Sequence, residues 1–94
     1  MLGTARDGDI ELRVDGTGSA ESYTLTTGAH VSISAGTGTG VLWGVQTARQ
    51  LLTSDADGWF ILGAAISDEP RFAYRGVMLD VTRHYYPVAD ICRY

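Results

Sequence analysis

Lysine is absent from this 94-residue chain, cysteine occurs once and proline twice. Without lysine the seven cations are all arginine, scattered through a chain of formal net charge −4. That balance argues against a basic surface for a phosphate backbone, so no nucleic-acid partner is expected. The missing lysine itself is what coding bias in a GC-rich genome produces. The single cysteine, Cys92, offers neither a disulfide framework nor a thiolate metal site. No cofactor or metal is expected. No apolar run approaches the roughly 18 residues that cross a bilayer, and no membrane partner is expected either. The start, Met1 to Asp7, has no basic region followed by an apolar stretch, so no signal peptide is expected. A processed terminus would read the same way, which leaves the compartment open.

What is present is ordinary for a folded domain: 45% hydrophobic and 19% charged residues, far from the disordered regime. A chain of this size buries about 60–65% of its unfolded surface, enough for one modest core. Asp9 to Val14 alternates strictly, with Ile10, Leu12 and Val14 on one face, and reads as a half-buried strand. Asp15 to Ser19 breaks it as a loop. Tyr23–Thr26 and Val31–Ser34, joined through Thr27-Gly28-Ala29, read as a hairpin with one wet face. The period then changes. Val41, Val45, Ala48 and Leu52, flanked by Leu42 and Leu51, fall at helical spacing, with Thr39 as the expected N-cap. Asp55 to Gly58 is expected to end this helix as a turn, and Trp59–Leu62 to resume an extended stretch towards Ile66. The pattern predicts an α+β fold: a small, mostly antiparallel sheet with one packed helix.

Ser67-Asp68-Glu69-Pro70-Arg71 reads as a connector, because proline disfavours helical geometry in the residue before it. Tyr74 to Val81 is apolar on both parities over its centre, the pattern of a strand covered on both faces. Pro87 followed by Val88, Ala89, Asp90 and Ile91 reads as a helix start. A strand, a loop and a helix start together look like one βα unit.

Several motifs carry less chemistry than they suggest. Gly36-Thr37-Gly38-Thr39-Gly40 sits where a phosphate loop would sit, between a strand and a helix. The dinucleotide spacing fails, since the third glycine falls at Val41 or Trp43, and a triphosphate loop needs the absent lysine. A flexible turn is the better reading. Asp55-Ala56-Asp57-Gly58 lacks the further acidic positions of a calcium loop. His30 has no second ligand nearby in sequence. Asp68-Glu69 is an adjacent acid pair in a linker, with nothing local to raise a carboxyl pKa. The richest cluster is Asp80, Arg83 and His84. In a parallel barrel, functional groups project from the C-terminal ends of strands, and Arg83 continues the parity of Val77, Leu79 and Val81. Its planar fork suits two adjacent sugar hydroxyls. Pairing with Asp80 to brace the loop fits the residues equally well.

Glu69-Pro70-Arg71-Phe72, followed by the run from Tyr74 to Val88, resembles the opening of the catalytic domain of family-20 glycoside hydrolases, the β-N-acetylhexosaminidases. Glu21 to Leu25 and the helix from Gly40 to Leu52 are similar to that family's accessory domain. Residues 1–13 do not resemble the start of that domain. The resemblance implies a partial accessory domain over residues 1–66 and the first βα unit of a truncated (β/α)8 barrel over 67–94. It implies a parent enzyme that removes terminal β-linked N-acetylglucosamine or N-acetylgalactosamine from glycans or chitooligosaccharides. Such enzymes retain configuration, with the substrate's acetamido oxygen attacking the anomeric carbon. The catalytic Asp-Glu pair of the family lies at a later strand end, and Asp68-Glu69 does not match it. No catalytic residue is therefore expected among these 94, and the fragment is expected to be inactive alone. Arg83 matches the arginine that grips the terminal sugar, with Asp80 and His84 in supporting positions. Arg71 and Arg75 match arginines that look structural. The alternative is a non-catalytic α+β binding module that self-associates through an exposed Tyr74–Val81 strand.

Overall fold

The computed structural model describes residues 8–94. The expected absence of a signal peptide in Met1 to Asp7 concerns residues outside that range. Strand β1 (Ile10–Val14) is followed by the hairpin β2 (Tyr23–Thr27) and β3 (Val31–Ala35), then by helix α1 (Gly38–Leu51). Three short strands follow, β4 (Leu52–Asp55), β5 (Gly58–Ile61) and β6 (Ala65–Asp68), and a last helix, α2 (Val88–Arg93). The main sheet has the order β1-β3-β2-β6. β2 is antiparallel to both β3 and β6, while β1 runs parallel to β3. The sheet is thus mixed, and two of its three pairings are antiparallel. β4 and β5 form a separate hairpin.

The alternation of β2 and β3 sets the core. Tyr23 and Leu25 from β2 and Val31, Ile33 and Ala35 from β3 are buried on one face. Thr24 and Thr26 face solvent on the other, the wet face expected of the hairpin. Helix α1 closes the buried face with Val41, Trp43, Val45, Ala48 and Leu51. Leu25 and Ile33 are fully enclosed, and burial of each contributes about 1.5–3 kcal/mol. Gly40 and Gly44, one helical turn apart, are the buried residues of α1. A Cβ on Gly44 would stand 2.4 Å from Ile33 Cγ2, and one on Gly40 would stand 2.4 Å from the Ser22 carbonyl oxygen. Only hydrogen fits there, so glycine sets how closely the helix approaches the sheet.

The parallel pairing of β1 and β3 has a geometric cost. Val14 and Tyr23 both pair with Ala35, so the chain from 15 to 22 must cross over the end of β3. A Cβ on Gly36 would stand 2.2 Å from the Thr17 carbonyl oxygen of that crossing. Thr37 Oγ1 donates to the Ala20 carbonyl oxygen and ties the crossing down. Within the Gly36–Gly40 run, expected to be a flexible turn, Gly36 and Gly40 are thus crowded positions, while the helix already begins at Gly38.

Several expectations need correcting. The N-cap is Thr37, in extended geometry, with its hydroxyl accepting from the Gly40 amide at 3.2 Å; Thr39 lies inside the helix. The helix ends at Leu51, and Leu52 opens β4, so the Asp55–Gly58 turn joins two strands rather than closing a helix. Gly58, at φ +126°, takes a conformation that side chains disfavour, and Asp55 Oδ1 accepts the Asp57 amide. The apolar row of β1 is not half-buried: Ile10, Leu12 and Val14 are each more than half exposed. β1 is an edge strand, and α1 lies chiefly over β2 and β3. Ser67 and Asp68 belong to β6 rather than to the connector. Residues 74–81 form no strand, because a strand needs a neighbour to pair with and none is present among the described residues. The barrel expectation is thus not realised in this chain, and neither is the exposed strand on which self-association was to rest. α2 does begin just after Pro87.

Candidate functional site

Two polar groupings involve the chain beyond β6: one lies wholly on it, and the other joins Arg75 to Glu21 and Trp43 of the layer. The first is the loop from Asp80 to Tyr86. Asp80 Oδ1 accepts the Thr82 amide at 2.8 Å, an Asx turn that lets the chain bend after Val81. The other carboxylate oxygen lies 3.9 Å from Arg83 Nε, at the outer limit of an ion pair. Arg83 is 92% exposed in its side chain, so its guanidinium faces solvent. His84 stacks edge-on against Tyr86, with ring centroids 4.8 Å apart. The three residues singled out in the sequence are thus neighbours on one exposed turn. Among the described residues, no group of three or more His, Cys, Asp or Glu is placed to hold a metal ion. Nor is any helix long and apolar enough to cross a membrane. Cys92 is a free, exposed thiol on α2.

The second grouping was not visible in the sequence. Glu21, from the crossing loop, accepts the Trp43 indole N–H at 2.9 Å and Arg75 Nη2 at 2.6 Å on the same oxygen, Oε1. Arg75 lies 5.8 Å from the Trp43 ring centroid, within cation–π range. The Arg75 guanidinium, and then the Trp43 indole, hold the Glu21 carboxyl below its ordinary range. Trp43 and Arg75 are 22 and 54 positions from Glu21 in sequence, so no local pattern could have joined them. Arg71, the other arginine expected to be structural, lies over the Phe72 ring at 5.8 Å.

The adjacent acids Asp68 and Glu69, read in the sequence as part of a connector, each hold a contact to the layer. Asp68 Oδ2 accepts from the Tyr23 hydroxyl at 3.2 Å, and that hydroxyl also meets Thr47 Oγ1 at 2.5 Å, linking β6, β2 and α1. Glu69 accepts from Ser19 Oγ at 3.1 Å. Their carboxyls serve the layer. His30 lies 3.9 Å from Glu11, across the β1 edge.

Residues 2–69 match the family described as glycosyl hydrolase family 20, domain 2. Beta-hexosaminidase subunit alpha of Rattus norvegicus is 41% identical over 75 residues, 78% of this chain and 14% of its own length. A solved glycoside hydrolase family 20 beta-N-acetylglucosaminidase shares 51% identity, covering 87% of this chain and 17% of that one, at a TM-score of 0.74. The family-20 exo beta-N-acetylglucosaminidase of Vibrio harveyi, solved in complex with N-acetylglucosamine, shares 32% identity and a TM-score of 0.78. It covers 89% of this chain and 14% of its own. This chain therefore spans about a seventh of the curated relative's length. With the layer's fold, its profile and its relatives in agreement, the chain belongs to glycosyl hydrolase family 20, whose members include the β-N-acetylhexosaminidases.

Proposed function

We propose that these residues serve a β-N-acetylhexosaminidase that removes terminal β-linked N-acetylhexosamine with retention, by substrate-assisted attack of the acetamido oxygen. Residues 1–66 are its accessory layer, and 67–94 are the opening of its catalytic barrel. Arg83 binds two hydroxyls of the terminal sugar through its planar fork, while Asp80 sets the turn that carries it and His84 supports it from the same loop. The single observation behind this role is the outward-facing Arg83 guanidinium, only loosely paired with Asp80 at 3.9 Å. Had Arg83 been a brace, a close, bidentate pair would be expected. The reaction's Asp-Glu pair, with the glutamate as general acid and the aspartate orienting the acetamido group, is not matched among these 94 residues, so the chain alone does not hydrolyse the substrate.

The test joins these residues to the remainder of a family-20 barrel and compares Arg83→Ala with the parent. Loss of charge-assisted hydrogen bonds to the sugar is expected to lower kcat/KM by about two orders of magnitude, or ~3 kcal/mol. Unchanged kinetics would reduce Arg83 to a loop brace.

A further inference from the structure

The chain from Arg71 to Tyr94 is exposed at every residue. Among the described residues, the side-chain hydrogen bond and the ion pair that join this stretch to the layer both come from Arg75. One nitrogen of its guanidinium donates to Glu21 at 2.6 Å, and another donates to the Phe72 carbonyl oxygen of its own turn. Its plane also approaches the Trp43 ring. Trp43 is in turn held by the same Glu21 oxygen, so the loop before β2, helix α1 and the departing chain meet at one point. A lone exposed ion pair contributes little, because water screens it and two long side chains lose freedom. This one differs in kind. The cation is packed on an aromatic face, its anion is already fixed by an indole, and its second nitrogen closes the local turn. Three partners over-determine one guanidinium, which a lysine's single point charge could not satisfy. Arg75 lies eight positions before Arg83.

We propose that Arg75 is a positioning residue, clamped by Glu21 and Trp43, that fixes where and in what direction the Arg83-bearing segment leaves the accessory layer. The inference builds on the sugar-binding reading of Arg83, but the clasp itself is measured without any hydrolysis. The accessory layer thereby holds the start of the first barrel segment by a specific contact as well as by the covalent connection after β6.

The test uses the 94-residue chain with Trp59→Phe and Cys92→Ser, so that Trp43 is the one tryptophan, and Met78→Cys carrying a fluorescent acceptor. All three substituted side chains are exposed. Time-resolved energy transfer, referenced to the donor lifetime without acceptor, gives the distribution of distances from Trp43 to position 78. A narrow distribution is expected in the parent. Arg75→Ala should broaden it by about twofold or more as the segment becomes a flexible tether. Glu21→Gln, which keeps an acceptor oxygen for the indole, should do likewise, and the double variant should add nothing further. Circular dichroism follows the layer throughout; if Arg75→Ala loses that signal, Glu21→Gln decides. A distribution as narrow as the parent's in a folded variant would overturn the proposal. Because kinetics play no part, that result would leave the hexosaminidase reading standing, and loss of that reading would leave the clasp intact.

Discussion

The layer up to β6 and the chain beyond it are both rich in apolar residues, yet they use them in opposite ways. Among the described residues, five hydrophobic side chains are buried in the layer, all from β2 and β3. Beyond β6, Tyr74, Val77, Met78 and Tyr94 are almost fully exposed, and no residue is buried. The Cα radius of gyration is 17.5 Å, against about 12 Å for a compact domain of this length. Apolar sequence therefore specifies burial only when the partner surface is present. β2 and β3 find theirs in α1, a few residues on. The run from Val77 to Val81, whose sequence pattern predicts a covered strand, has no such partner surface among the described residues.

The contrast is most easily tested at its two extremes. Leu25→Ala should cost the layer about 2–5 kcal/mol, through lost transfer energy and a residual cavity. Val77→Ala, at a fully exposed side chain, should stay within about 0.5 kcal/mol. Chemical denaturation followed by circular dichroism checks both, and equal effects would erase the distinction.

A finer cut lies within one helix. Gly44→Ala places its Cβ against Ile33 and Tyr23. The overpacking should cost about 1–3 kcal/mol, offset in part by up to ~1 kcal/mol of helix propensity. Gly38→Ala, with open space around the new Cβ, should be neutral or stabilising by up to about 1 kcal/mol. Thermal unfolding of the two variants should therefore shift in opposite directions, or at least differ in size, with Gly44→Ala the lower.

The smallest effect sits at the seam between the two regions. The folded-state pKa of Glu21 is depressed, first by Arg75 and then by Trp43. Its contribution is thus present above the unfolded glutamate's pKa and lost as pH falls through the folded value. Asp15, depressed by the amide and hydroxyl of Thr17, acts in the same direction. An NMR titration should show the Trp43 indole proton shifting on the acid side of the ordinary glutamate range, and Glu21→Gln should abolish that shift.

How much of this was legible in the sequence depends on the range of the interaction. The β2–β3 hairpin and α1 were readable because their periodicities are local and their partners lie close in sequence. The contact face of α1 was only half readable. Gly40 and Gly44 carry no apolar signal, yet they set the helix-to-sheet distance, and the N-cap is Thr37 rather than Thr39 because the extended Thr37 places its hydroxyl on the Gly40 amide. β4 was missed because Leu51 and Leu52 continue the helical spacing, and only the Asp55–Gly58 turn, pairing Leu52 with Ile61, reveals the hairpin. The Asp80–Arg83–His84 cluster was legible because its members lie within one short stretch of chain. The Glu21–Trp43–Arg75 clasp was not, because its three members meet only once the layer has folded.

The decisive measurement is hydrolysis of a chromogenic N-acetylglucosaminide by these 94 residues, alone and joined to the remainder of a family-20 barrel. No turnover above a blank is expected for the chain alone, and turnover is expected once the barrel is complete. Turnover by the purified chain alone would contradict the assignment of catalysis to residues outside it.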